Sequence, residues 1–369
     1  MSGVIVFFIG TTAELIKLFP VIKKLEDDKS PYLIISSGQN DIISSVTLKK
    51  ANGGRVDLVL SQETTIKKTS LGLLKWWITV FLRGIGEIRR FLRGYNLKKS
   101  VFVVHGDTVS TVMGAMIGKI LGIPVAHVEA GLRSFHLLSP FPEEIDRILT
   151  SKLANYSFAP GDFACRNLEK SKTKVINTYF NTAVDSLALA REQECTSPVI
   201  NNLLPSEYFV FVMHRQENLA NKEFVKTVLD RIIILSKKIK CVVILHTITK
   251  NAFIDYGYME QLKKEGNIVF LDRQEYFDFI KLLSYSSFVI TDGGSNQEEL
   301  NYLGKPCLIL RSFTERLEGV GENAEMYNGE PDMILSFADN ASSYRREPVH
   351  PSVSPTEIIT ETLKQLISV

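Results

Sequence analysis

Apolar residues fall in short unbroken runs along this chain, and stretches with helical spacing separate most of them. Continuous runs of this kind predict strands buried on both faces. The first series is Val4–Ile9, Tyr32–Ser36, Val101–His105, Ile123–Val128 and Tyr156–Ala159. A second series begins near Asn181 and contains Tyr208–Met213, Cys241–His246, Ile268–Leu271, Phe288–Thr291 and Pro306–Leu310. Helical spacing predicts helices over Ala13–Lys24, from Thr108 to about Leu121, and over Glu143–Asn155, Lys222–Lys237 and Val353–Ile367.

Strand–helix alternation in two series implies an α/β chain with two parallel sheets. Right-handed crossovers make each a doubly wound, Rossmann-like domain, with ligands outside the carboxyl ends of the strands. The expected division is 1–175 and 176–352, with the last helix, 353–369, packing back on the first domain. The expected site is a cleft that the two domains face. A length of 369 residues suits two cores of this size.

Composition narrows the partners. The chain is 45% hydrophobic and 23% charged with a net charge of +2, so nothing in the balance points to nucleic acid. Cys165, Cys195, Cys241 and Cys307 are scattered, with no zinc spacing, which predicts reduced thiols in a cytoplasmic protein. Met1–Phe8 reads as a strand, not a signal peptide. Lys67–Lys99 is basic and carries Trp76, Trp77, Phe81 and Phe91. Its two readings are a core helix with a basic outer face and a weak membrane-surface contact.

The chemistry sits just after the predicted strands. Gly10-Thr11-Thr12-Ala13-Glu14-Leu15-Ile16-Lys17 is a glycine turn into a helix, without a Walker or G-x-G-x-x-G pattern. In His105-Gly106-Asp107-Thr108, Asp107 is either a helix cap or a group that meets a ligand. Glu129 follows an apolar strand directly, and Arg133 comes soon after it. Glu143 and Glu144 open a helix, where the dipole favours acids. Clustered acids in unlike surroundings are how one site obtains a general acid and a general base. His214-Arg215-Gln216-Glu217-Asn218 follows a strand of the second series. No nucleophile elbow and no H-E-x-x-H occurs, so neither metal nor covalent serine chemistry is expected.

Thr291-Asp292-Gly293-Gly294-Ser295-Asn296-Gln297-Glu298-Glu299 runs from a buried strand through small residues into a helix. Such a turn leaves N–H groups free where the helix dipole favours an anion. Thr314-Glu315-Arg316 adds a cation suited to a diphosphate.

Taken together these segments resemble the UDP-N-acetylglucosamine 2-epimerase family, which has the two-domain fold of GT-B glycosyltransferases. The resemblance rests on Gly10-Thr11 with Glu14 and Lys17, His105 to Thr108, His127 to Arg133, Pro142 to Glu144, and Asn181-Thr182. It continues through His214-Arg215 with Glu217-Asn218, Asp292 to Glu299, Gly304 to Pro306 and Thr314 to Arg316. It implies C2 epimerisation of a UDP-N-acetyl-hexosamine, with no cofactor, for cell-surface polysaccharide precursors, in a homodimer. A base takes the C2 proton as UDP leaves C1, and UDP re-adds after protonation on the other face. Asp107, Glu129, Glu143 and His214 match the acid–base positions. Gly10, Lys17, Arg133, Arg215, Phe279, Gly293, Gly294, Ser295, Glu299 and Arg316 match substrate and nucleotide contacts, with Phe279 against the uracil. Thr12-Ala13 replace the family's usual Arg-Pro, Gly293-Gly294-Ser295 its Ser-Gly-Gly, Phe180-Asn181 its Gly-Asn, and Gln39-Asn40 its Gln-His. These departures leave a nucleotide-sugar glycosyltransferase or a hydrolysing 2-epimerase as alternatives.

Overall fold

The first sheet is built from β1 (Ile5–Ile9), β2 (Tyr32–Ser36), β3 (Leu58–Val59), β4 (Val101–His105), β5 (Val125–Val128), β6 (Tyr156–Ala159) and β7 (Lys174–Asn177). This computed structural model describes residues 2–62, 70–136, 142–311, 313–314 and 318–368. Among them the strand order is β3-β2-β1-β4-β5-β6-β7, every pair parallel. β1, β2, β4 and β5 are buried along their whole length, as their unbroken apolar runs require. Phe8 and Phe102, on neighbouring strands, meet with ring centroids 5.8 Å apart, and each fully buried phenylalanine contributes roughly 1.5–3 kcal/mol.

The second sheet contains β8 (Tyr208–Val212), β9 (Lys240–Leu245), β10 (Ile268–Asp272), β11 (Val289–Thr291), β12 (Cys307–Ile309) and β13 (Ala324–Met326). Its order is β10-β9-β8-β11-β12-β13, again parallel throughout. Phe209 stacks on Phe288 with centroids 4.9 Å apart. Both sheets are therefore the doubly wound type that alternation predicts.

Contacts divide the chain into one unit up to Ser186, joined by the residues from Pro351 onward, and a second from Leu187 to His350. β7 belongs to the first sheet, so the first unit continues past residue 175. The helix Pro355–Ser368 lies on the helix Thr12–Asp27 of that unit. Ser354 Oγ and Thr356 N donate to Asp185 Oδ2 at 2.8 and 2.9 Å and fix its start.

The helix Ser70–Phe91 turns both tryptophans inward. Trp76 is buried and its Nε1 donates to Ser61 Oγ at 3.2 Å; Trp77 Nε1 donates to the Val109 carbonyl at 2.8 Å. The core-helix reading thus accounts for the tryptophans. The outward stripe is Leu71, Leu74, Ile78 and Leu82. Lys67 and Lys68 lie outside the described residues. No helix among the described residues is long and apolar enough to cross a membrane.

Candidate functional site

In the first sheet the strand order reverses at β1, which has β2 on one side and β4 on the other. Connections leaving β1 and β4 in opposite directions open a crevice at their carboxyl ends. Gly10 ends β1, and a Cβ there would fall 2.3 Å from Ser110 Oγ, so only glycine lets the turn lie this close to the helix Val109–Ile120 that follows β4. Glu14, one turn into the helix Thr12–Asp27, folds back onto the crevice. Its carboxylate accepts from Gly10 N at 2.8 Å, Thr11 Oγ1 at 3.2 Å and Thr108 Oγ1 at 2.6 Å. Burial outweighs these bonds and pushes the Glu14 carboxyl up to about 7.

Glu129 follows β5 with φ at +63°, the left-handed region, which costs a residue with a side chain ~1–2 kcal/mol. Its Oε2 accepts from Lys17 Nζ and Asn181 Nδ2 and lies 3.9 Å from His105 Nε2. Strain held by several bonds at a strand end marks a place where position matters more than local comfort.

Asp107 is not the cap of the helix that follows. Thr108 caps it, in a reciprocal box with Thr111. The Asp107 carboxylate instead meets Arg147, with Nη2 at 2.6 Å and Nε at 2.9 Å from Oδ2. Arg147 lies on the helix Glu143–Leu153, where Glu143 is the first residue. Glu144, fully buried, accepts from Arg133 Nε, from Ser134 N at 2.9 Å and from Arg147 Nη1 at 3.4 Å. Burial opposes its ionisation, yet these donors hold its carboxyl below the ordinary value. Arg133 is thus anchored on Glu144, with its guanidinium 5.2 Å from the Phe135 ring centroid.

The second sheet reverses in the same way, at β8 between β9 and β11. Asp292 follows β11, is fully buried, and accepts from His214 N at 3.0 Å, Arg215 N at 3.0 Å and Asn218 Nδ2 at 3.1 Å. The His214 ring stacks on His246 with centroids 4.7 Å apart. Burial, opposed by Asp292, lowers the His214 pKa; burial together with His214 and Arg273 takes His246 to about 4. Both shifts favour the uncharged ring. Arg215 Nη1 donates to Glu217 Oε1 at 2.9 Å.

The helix Gly294–Tyr302 starts at Gly293 with no side-chain cap. Its first-turn N–H groups therefore keep their capacity for an anion. A Cβ at Gly293 would come 2.6 Å from Asn296 Oδ1 and 2.9 Å from His214 Cε1, which is why the turn takes glycine where a larger residue would press on the histidine. Ser295 lies in the first turn, and Glu299 accepts from Asn296 Nδ2 at 3.3 Å. Phe279 is half-buried on the helix Tyr276–Tyr285. Arg316 lies outside the described residues.

In the first domain, then, Gly10, Lys17, Asp107, Glu129, Arg133 and Glu143 come from the ends of β1, β4 and β5 and the helices beyond. In the second, His214, Arg215, Gly293, Gly294 and Ser295 share the switch point. Nothing in the sequence singles out Arg147 and Asp146 among the charged residues of their segment. The available signal is the spacing 143, 146, 147, which places three charged residues on one helix face. Nor does the sequence mark Asp292 as the anchor of the His214 loop, a contact joining residues distant in sequence.

The family model for UDP-N-acetylglucosamine 2-epimerase matches residues 23–352. The UDP-N-acetylglucosamine 2-epimerase of Methanocaldococcus jannaschii is 32% identical over 335 residues, covering 87% of each chain. A crystal structure of the M. jannaschii enzyme in complex with UDP-GlcNAc and UDP superposes with a TM-score of 0.77 at 27% identity, covering 98% of this chain and 99% of that one. The Neisseria meningitidis enzyme bound to UDP-GlcNAc gives 0.78 at 27% identity, covering 98% of this chain and 100% of that one. This chain belongs to the UDP-N-acetylglucosamine 2-epimerase family.

Proposed function

We propose that this protein interconverts UDP-N-acetylglucosamine and UDP-N-acetylmannosamine by exchanging the proton at C2 while UDP is transiently eliminated. The observation that carries the reading is the acid–base set at the first switch point. Glu129 is held in a left-handed backbone by Lys17 and Asn181, and Asp107 is clamped by Arg147. A sugar C2–H is weakly acidic, and removing it needs a carboxylate already in place.

In the elimination a carboxylate accepts the C2 proton, the C2–H electron pair becomes the C1=C2 bond, and the C1–O bond breaks with its electrons leaving on UDP. In the reverse addition a carboxyl group on the other face returns a proton to C2, and the diphosphate oxygen reattaches at C1. Glu129, Asp107 and Glu143 are the carboxyl groups assigned to these transfers. His214, whose uncharged form burial favours, is assigned a hydrogen bond to the leaving diphosphate. The uncapped helix start at Gly293, Gly294 and Ser295 is assigned the diphosphate charge itself. Lys17, Arg133 and Arg215 are each already engaged by a carboxylate, so they orient acids and loops as well as any ligand. Phe279, Glu299 and Arg316 are assigned to the nucleotide.

The test is incubation with UDP-N-acetylglucosamine in deuterated water. The expected product is UDP-N-acetylmannosamine carrying deuterium at C2, with deuterium also washed into recovered substrate. Free UDP accumulating in step with N-acetylmannosamine would replace this reading with hydrolysis. Turnover only on adding a glycan acceptor would replace it with transfer.

We further propose a homodimer that packs through the outward stripe Leu71, Leu74, Ile78 and Leu82, a run of exposed apolar residues on one helix face. Leu74→Glu with Ile78→Glu should convert the dimer to monomer in sedimentation. A monomeric wild type that binds anionic vesicles would overturn this assignment.

A further inference from the structure

Asp146 is a buried carboxyl group that the reaction above does not use. It is 7% exposed, and among the described residues no hydrogen bond or ion pair reaches either oxygen; Oδ2 is fully enclosed. It stands on the face of the helix Glu143–Leu153 that also carries Glu143 and Arg147. The charges of Asp107 and Glu143 both act on it.

Among the described residues no cation is left to offset it. Arg147 is committed to Asp107 and Glu144. His127, on β5, lies 2.7 Å from the Gly106 carbonyl and burial lowers its pKa. The neighbouring helix Val109–Ile120 has Lys119 as its one charged residue, and that Nζ donates to Asn155 at 2.9 Å. An ionised carboxylate with no partner in such surroundings is costly, and a second like charge nearby raises the cost.

We infer that Asp146 is a positioning residue that stays uncharged beside Asp107 and Glu143, so that no further negative charge faces the reacting sugar and its leaving diphosphate. This rests on the acid–base assignment of Asp107 and Glu143 made above. Burial first, then Asp107 and Glu143, pushes the Asp146 carboxyl up to about 7. Above that pH a negative charge appears on Asp146, and its repulsion opposes the charge that builds on the leaving diphosphate.

Asp146→Asn copies the neutral acid in shape and cannot titrate. For the wild type, kcat/KM should fall about threefold or more between about pH 6.5 and about pH 8.5. For Asp146→Asn the fall should be smaller, any remainder being due to Glu14, and the value should match the wild type within about twofold at the lower pH. A falling limb as deep in Asp146→Asn as in the wild type overturns the inference. So does a loss of about 100-fold at the lower pH, which would make Asp146 itself a proton-transfer group.

Infrared difference spectra over the same pH range give a readout that needs no turnover. The wild type should lose a protonated-carboxyl stretch on going to the higher pH. Part of that signal should be absent in Asp146→Asn, and the part due to Glu14 is identified with Glu14→Gln. A spectrum unchanged by Asp146→Asn overturns the inference. If the wild type forms no epimer at all, the functional reading fails, and the infrared result still decides where the proton resides.

Discussion

Two aspartates, one in each domain, follow central strands and are treated oppositely. Asp107, after β4, has a side chain 25% exposed and faces a guanidinium. Asp292, after β11, is fully enclosed and takes N–H donors of the adjoining loop. The first is partly open to solvent. The second is used inside the protein, its oxygens tying down the segment that bears His214 and Arg215. The same contrast extends outward. The first switch point gathers Glu14, Lys17, Asp107, Glu129, Glu143, Asp146 and Arg147. The second presents glycines, an uncapped helix start and two stacked imidazoles. On the proposed assignments, one topological device supplies proton chemistry in one domain and anion holding in the other.

The sharpest way to break that division is Glu129→Gln. The new amide keeps an acceptor for Asn181 but cannot take a proton, and Lys17 loses its counter-charge. Deuterium exchange at C2 should fall by ~10³-fold, while calorimetric affinity for UDP stays within about twofold. Exchange that survives while UDP affinity collapses would reverse the roles given to the two switch points. Next in size is Asp292→Ala. It strands His214 N and Arg215 N, at roughly 1 kcal/mol for each donor left unpaired, while Asn218 Nδ2 keeps its bond to the Leu310 carbonyl. Urea unfolding of the second domain should shift by ~2 kcal/mol, with UDP affinity falling as well. An unchanged urea midpoint would mean that the loop is held by something other than Asp292.

The sheets were legible because their central strands are buried on both faces and so read as unbroken apolar runs; Val4–Ile9 and Phe288–Thr291 are examples. β3, β7 and β13 were not. They lie at sheet edges with half-buried residues, and an edge strand packed on one side needs no such run. In the site, residues directly after a strand were legible because topology alone puts them at a carboxyl end. Groups whose importance comes from what they touch were not. Arg147 is defined by Asp107, forty positions earlier, and Asp292 by the loop after β8. That Asp107 is not a cap is visible only once Thr108 is seen to make the cap.

A smaller effect separates the domains by pH. Glu14 is raised from the ordinary carboxyl value to about 7. The stability it contributes is full below that ordinary value and is lost as pH rises through about 7. His246 is lowered to about 4, so its contribution is present above the usual histidine value and is lost as pH falls toward about 4. The signs are opposite. Trp76 and Trp77 are the chain's two tryptophans and both belong to the first domain, so their fluorescence reports that domain alone. Between pH 5 and pH 8 the Glu14→Gln variant should lose less stability than the wild type by ~2 kcal/mol in that signal. His246→Asn should leave the tryptophan signal unmoved and flatten the acid side of amide-exchange protection in the second domain. Equal pH slopes for wild type and Glu14→Gln would remove Glu14 from the account.

The finest test is Gly293→Ala. The added Cβ would press on Asn296 Oδ1 and His214 Cε1, while φ at −86° is open to alanine, so the backbone itself need not strain. The change therefore acts on the anion-holding turn and on one imidazole, and leaves the carboxyl groups of the first domain as they are. If the turn holds the diphosphate, KM for the nucleotide sugar should rise ~10-fold, with kcat for C2 exchange changing by less than about threefold. A drop in kcat with KM unchanged would place His214 in the proton-transfer step, and the contrast between a proton-handling and an anion-holding switch point would then dissolve into one shared mechanism.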